Sequence, residues 1–279
     1  MKLLKLLKLF IYDFKQGFAY NKVKFLILFI VGIIFSISFR MDAEEFTDIE
    51  NFNYPEYVLY IVEGIRQLPL AEIDKYMIPV LWIGIQVIIG YIVGYYPVDD
   101  LHGYGQQILI RSRSRSRWWL SKCIWNVSMV VLAYIVLYLA IGIVCLVSGD
   151  GFSLSIQQSL IESGMMDTTS IKVSDLKLFV MLFIMPCLVS VAISMVQMVV
   201  ALILSPVIGF IMAQVVMFGS TLFPYKLFIG NYSMFAKNEI CGMTQIDTKE
   251  GILINVIIAM IAFGAGLLYF NKCNILSRE

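Results

Sequence analysis

The chain has 279 residues, of which 59% are apolar or aromatic and only 15% charged, and its mean hydropathy is +0.82. A soluble domain of that composition would have little surface left to hydrate, so the balance excludes one and points to an all-α integral membrane protein forming a single domain over 1–279. The net charge of +1 hides a segregation of sign along the chain, and that segregation carries the topology.

At the amino terminus, Leu3, Leu4, Leu7, Phe10, Ile11, Phe14 and Phe18 fall in one stripe at 100° per residue, with Lys5, Lys8, Tyr12, Lys15 and Gln16 opposite. The lysines and Asp13 interrupt any continuous apolar core and no small-residue cleavage site follows, so a signal peptide is not expected. The pattern predicts an amphipathic interfacial helix over 1–22, lying in the plane of the membrane with Lys5, Lys8 and Lys15 against lipid phosphates.

A hydrocarbon core about 30 Å thick needs roughly 20 apolar residues at about 1.5 Å each. Uncharged stretches predict spans at about 23–39, 76–96, 123–147 and 251–270. Between Leu178 and Pro224 lies an uncharged run of 47 residues, too long for one span. Ser205-Pro206, followed by Gly209, is the natural break, because proline lacks the backbone donor and disfavours helix in the residue before it. Spans at 178–204 and 207–224 result, giving six transmembrane helices. Met1 to Lys24, Pro97 to Lys122 and the tail from Asn271 hold thirteen basic and four acidic residues, whereas the three alternate segments hold eight basic and sixteen acidic. Both termini are therefore expected in the cytoplasm.

Chemistry within the chain is sparse. Five scattered cysteines and one histidine, His102, are too few for a metal-ligand set or a Cys/His nucleophile pair, and no catalytic or metal site is expected. The polar residues inside the spans are neutral: Gln86, Ser128, Ser190, Ser194, Gln197, Gln214, Ser220, Thr221 and Asn255. An ion-driven carrier normally needs charges there, so any transport would draw its energy from elsewhere. The chain has no phosphate-cradling loop ending in Gly-Lys-Ser/Thr and is not expected to bind a cofactor itself.

The most specific segment follows the second span. Pro97 stops the preceding helix, Asp99 and Asp100 can cap a short helix or turn, and Gly103 and Gly105 permit a tight bend. Gln106, Gln107 and Arg111 complete a compact polar protrusion, and Arg113, Arg115 and Arg117 then meet Trp118 and Trp119, residues suited to a bilayer interface. Four arginines pinned between spans make a poor nucleic-acid footprint, so no nucleic-acid partner is expected.

In layout, and in Asp99-Asp100, Gly105-Gln106-Gln107, Arg111, Arg117-Trp118-Trp119, Lys122 and Trp125, the chain resembles the permeases of type-2 (ABCG-like) ATP-binding-cassette exporters, more narrowly the small permeases of Gram-positive bacterial peptide and antibiotic exporters. The resemblance implies that the loop holding Asp99, Asp100, Gly103, Gly105, Gln106, Gln107 and Arg111 couples to a dimer of separate ATP-binding subunits, which hold ATP and Mg. It also implies a second permease copy or a related permease as the other half, and a re-entrant element within 225–250. Second and fifth spans would line the pathway, so Gln86, Phe210, Gln214, Phe218 and Thr221 are the expected cargo contacts, and Gly90-x-x-x-Gly94 offers a close-packing surface. An uncharged pathway with methionine and aromatic neighbours suits an amphipathic or hydrophobic cargo such as a peptide, antibiotic, toxin or lipid. The competing expectation is a membrane scaffold or sensor subunit of an envelope complex, with no pathway of its own.

Overall fold

The computed structural model describes residues 2–46, 51–66, 76–112, 114–157, 160, 174–238 and 246–272. Helix α1 (Lys2–Phe46) is unbroken for 45 residues, about 68 Å at 1.5 Å per residue. Its buried positions are Asp13, Gly17, Asn21, Phe25, Leu28, Gly32, Ser36, Phe39 and Ala43, a single stripe stepping by three or four that packs along α6 (Arg115–Ser148). The expected interfacial helix is corrected here: with no break between residues 2 and 46, the amino-terminal segment continues the first span instead of lying across it. Leu7, Ile11 and Phe18 are exposed, while Asp13, Gly17 and Asn21 face the protein. Lys8 and Lys15 are exposed, and the side chain of Lys5 lies outside the described residues.

The remaining helices are α2 (Tyr54–Val62), α3 (Val80–Gly94), α4 (Tyr96–His102), α5 (Tyr104–Ser112), α7 (Asp175–Ile203), α8 (Pro206–Leu222) and α9 (Thr248–Lys272). Among the described residues, five helical stretches are long and apolar enough to cross a membrane: Leu7–Glu45, Val80–His102, Arg115–Ser148, Asp175–Ile203 and Thr248–Lys272. The chain is a multi-pass membrane protein. Helix α8 is apolar but shorter, at 17 residues.

The long uncharged run divides where proline requires. Helix α7 ends at Ile203, Ser205 caps α8 by accepting from Ile208 N at 3.2 Å, and Pro206 sits in the first turn, where its missing donor costs nothing. Gly209 then lets α8 fold back on α7: a Cβ there would stand 2.7 Å from the Gln197 carbonyl oxygen and 2.9 Å from Ala201 N.

Helix α7 is the centre of the bundle, touching α3, α6, α8 and α9. After an α-helical first turn over Asp175–Phe179 it makes a π-turn over Val180–Ile184, next to Pro186. Pro186 cannot donate to the carbonyl of Leu182, and Tyr138 of α6 supplies that donor at 3.1 Å. One turn along α6, the Tyr134 hydroxyl reaches the Pro186 carbonyl at 3.0 Å.

At the end of the bundle where α1 finishes, Asp150 closes α6 onto α1 and α2. Its buried carboxylate takes Arg40 Nη1 at 2.7 Å, Phe52 N at 3.1 Å and the Tyr57 hydroxyl. Of the acidic residues in that first connection, Glu56 is buried and accepts from Asn53 N and Gln157 N, both at 2.6 Å, and burial pushes its carboxyl up. The segment Ile229–Asn238 folds back into the bundle as two 3-10 turns beside α8 and the Trp82 indole, which donates to Ser233 Oγ at 3.2 Å. Lys237 is buried there, donating to the Ser220 and Thr221 carbonyls that end α8 and to Asn231 Oδ1 at 3.0 Å. These carbonyls carry the negative end of the helix, so the lysine acts as its cap.

Candidate functional site

The segment after α3 forms two short helices rather than an irregular loop. The chain bends at Tyr95, α4 begins with Pro97 in its first turn, and Gly103 separates α4 from α5. Pro97 thus starts the next helix as well as ending the previous one. Tyr96, Pro97 and Val98 are buried and root the pair, with the Tyr96 ring 4.6 Å from that of Trp125. Leu109 on α5 and Val98 share an apolar cluster with Trp118, Met198 and Leu202. Asp99, His102, Gly103 and Gln107 are exposed, Gln106 is half-buried, and the side chain of Arg111 lies outside the described residues.

Asp99 and Asp100 are tied inward. Asp99 accepts from the hydroxyl of Tyr20 on α1. Asp100 Oδ2 lies 2.7 Å from Lys122 Nζ, and the same ammonium lies 2.7 Å from Asp13 Oδ1. All three side chains are buried, so two carboxylates from α4 and α1 share one cation from α6. Asp13 also accepts from Ser121 Oγ and, at 3.4 Å, from the Tyr96 hydroxyl. The ammonium sits 4.6 Å from the Tyr96 ring centre and 5.2 Å from that of Trp118, where the ring faces add cation–π attraction. Gly105 has to be glycine for this geometry: a Cβ would stand 2.2 Å from Asp100 Oδ2 and 2.6 Å from its carbonyl oxygen.

Sequence reasoning treated Asp13 only as an interruption and Lys122 as a topological charge. The signal that identifies Asp13 is its spacing with Gly17 and Asn21, a small and polar stripe opposite the apolar one. Lys24 was missed as well; its Nζ lies 4.0 Å from the Tyr91 ring centre and 5.1 Å from that of Tyr20, and it donates to the Tyr91 carbonyl at 2.8 Å. Trp118 and Trp119 are buried against α9 rather than placed at an interface. Trp118 stacks on Phe270 at 4.7 Å, and Trp119 Nε1 donates to the Phe263 carbonyl at 2.9 Å.

The residues expected to meet cargo divide into three places. Gln86 is buried, taking Ser190 Oγ on its amide oxygen at 2.8 Å and offering its nitrogen to the Tyr134 hydroxyl at 3.3 Å. Phe210 and Gln214 of α8 come together beside Gly90, half-buried, within 3.4 Å and 2.6 Å of where its Cβ would be. Phe218 is exposed and Thr221 is buried near the far end of α8, bonded to the Tyr76 hydroxyl at 2.6 Å. The Gly90–Gly94 stripe is taken up from within the chain. Gln197 Nε2 donates to the Gly90 carbonyl at 2.9 Å and would stand 2.5 Å from a Cβ at Gly94. It is not a surface left open for a second copy.

Among the described residues no group of three His, Cys, Asp or Glu side chains is placed to hold a metal ion. Neither a curated protein nor a solved structure matches the chain. A family model described as "Protein of unknown function (DUF2705)" matches residues 28–276, from the first span through the last helix, and the chain belongs to that family.

Proposed function

We propose that the chain is the membrane-spanning half of an ATP-driven exporter in a bacterial cytoplasmic membrane, with six spans and both termini in the cytoplasm. In this reading α8 is the fifth span, about 25 Å long for its 17 residues, and its antiparallel return along α7 keeps inside and outside segments alternating with the charge count. ATP and Mg are held by a separate dimer of ATP-binding subunits, and a second copy or a related permease supplies the other half. The cargo is amphipathic or hydrophobic, a peptide, antibiotic, toxin or lipid. Phe210 and Gln214, half exposed on α8, are the residues of the set best placed to meet it.

The observation that carries the reading is the α4–α5 pair. It presents His102 and Gln107 to solvent, while Asp99 and Asp100 root it through Tyr20 and Lys122 in two different long helices. An element so placed can take a push from a soluble partner and hand it to spans that are far apart in sequence. The test is co-purification with a co-expressed candidate ATPase and hydrolysis in lipid. The double variant Gln106→Ala, Gln107→Glu, which leaves the buried Gly105 seat intact, should lower cargo-stimulated hydrolysis about tenfold, the loss of one good contact of about 1.4 kcal/mol. If no ATPase associates with the native chain, the exporter reading fails and a scaffold or sensor subunit takes its place.

A further inference from the structure

The Asp13–Lys122–Asp100 triad is unequal in its two arms, and the inequality has a direction. Asp13 holds Lys122 and also receives Ser121 and Tyr96, and its helix continues past it into Gly17, where a Cβ would overlap the Trp125 indole at 2.0 Å. Asp100 holds Lys122 from the rim of the bundle, with its side chain 6% exposed against 1% for Asp13 and 0% for Lys122. Removing Asp100 from the cluster leaves the ammonium neutralised by Asp13 and moves a carboxylate toward water. Parting Asp13 from the ammonium instead strands a carboxylate among buried groups, the costlier of the two in a low-dielectric interior.

The other ties of the α4–α5 pair fall on the same side of this balance. Tyr20 and Asp99 are both exposed at the rim, so water can replace their hydrogen bond. The buried root at Tyr96, Pro97 and Val98 remains in place as a pivot, and Leu101 and Leu109 are the apolar contacts that must lift.

We infer that Lys122 is a shared clasp: α1 and α6 stay locked through Asp13, while the segment from Asp99 through α5 opens and closes as a separate unit by giving up and regaining Asp100. The inference goes beyond the exporter reading and does not depend on it, since it concerns how this chain alone comes apart.

Hydrogen–deuterium exchange on the full chain in lipid nanodiscs tests it. Asp100→Asn should speed exchange in 99–112 about tenfold and leave 7–24 unchanged, because only the weaker arm is cut. Asp13→Asn should speed exchange in 7–24, and Ser121→Ala should do so to a smaller degree, giving a readout if Asp13→Asn does not fold. Lys122→Met should release both segments. Equal acceleration of 7–24 and 99–112 by Asp100→Asn, or none in either, would overturn the clasp. Neither result bears on whether an ATPase binds.

Discussion

The Trp119 indole occupies the space that a side chain at Gly266 would need: a Cβ there would stand 2.1 Å from Cζ2 and 2.4 Å from Cη2. Trp119 cannot swing away freely, since its Nε1 is bonded to the Phe263 carbonyl on the same helix. Gly266→Ala should therefore lower stability by about 1–3 kcal/mol, as for other overpacked sites. The midpoint of heat unfolding, followed by size exclusion in detergent, reads this directly. The double variant Gly266→Ala, Trp119→Leu should recover part of the loss if overlap is its cause.

Two glycines in the apolar helices α8 and α9 predict opposite outcomes. At Gly209 a Cβ would meet the Gln197 carbonyl oxygen and the Ala201 nitrogen, backbone atoms that cannot rotate aside, so Gly209→Ala should force α8 away from α7. At Gly264 a Cβ would meet nothing within 4 Å, and Gly264→Ala should be neutral or stabilise α9 by up to about 1 kcal/mol through helix propensity. Unfolding midpoints that fall for the first and hold or rise for the second bear this out; equal changes would contradict the close approach.

Burial pulls the Lys237 ammonium down to about 8 from its ordinary value of 10.5. A lysine with a lowered folded value binds fewer protons folded than unfolded between about pH 8 and 10.5, so its contribution to stability rises with pH across that window. The stability of the native chain relative to Lys237→Met should accordingly increase from pH 8 to pH 10, while below pH 8 the difference should be flat. Competitive acylation of the amine should titrate with a midpoint near 8.

Gln86 and Gln214 separate structure from transport. Gln86→Leu takes away the acceptor of Ser190 Oγ and a donor to Tyr134, which keep only each other and the Pro186 carbonyl, and should reduce folded yield, with a cost of about 1 kcal/mol for each buried hydrogen bond lost. Gln214→Leu disturbs a half-exposed amide beside Gly90 and should leave expression normal. In the exporter reading Gln214→Leu lowers export of cargo; unchanged export at native expression would remove α8 from the pathway.

Much of the architecture was legible because a few residues act the same way in any solvent. Pro206 removes a donor wherever it stands, so the division of the 178–224 run could be placed to within a residue or two of Ile203 and Pro206. The amino-terminal segment misled because its lysines were read as setting apart a separate helix in the membrane plane, whereas no proline interrupts residues 2–46 and α1 runs on into the first span. Where lipid is the solvent, Leu7, Ile11 and Phe18 gain nothing by facing inward, and Gly17 and Asn21 give the closer helix contact. The triad escaped notice for a related reason: Lys122 looks identical in sequence whether it marks a membrane side or neutralises two buried acids. Only the pairing of residues 109 apart distinguishes the two roles.

That separation also sets an order of events on the ribosome. Asp13 is made early, yet the lysine that neutralises it follows 109 residues later, about 5–20 s at roughly 5–20 residues per second. Until the third long helix emerges, Asp13 at the start of α1 lacks the ammonium that neutralises it, and a bare carboxylate is one that the hydrocarbon interior does not accept. The start of the first helix therefore settles only with the third long one, waiting at the membrane edge for α6 to arrive and draw it in.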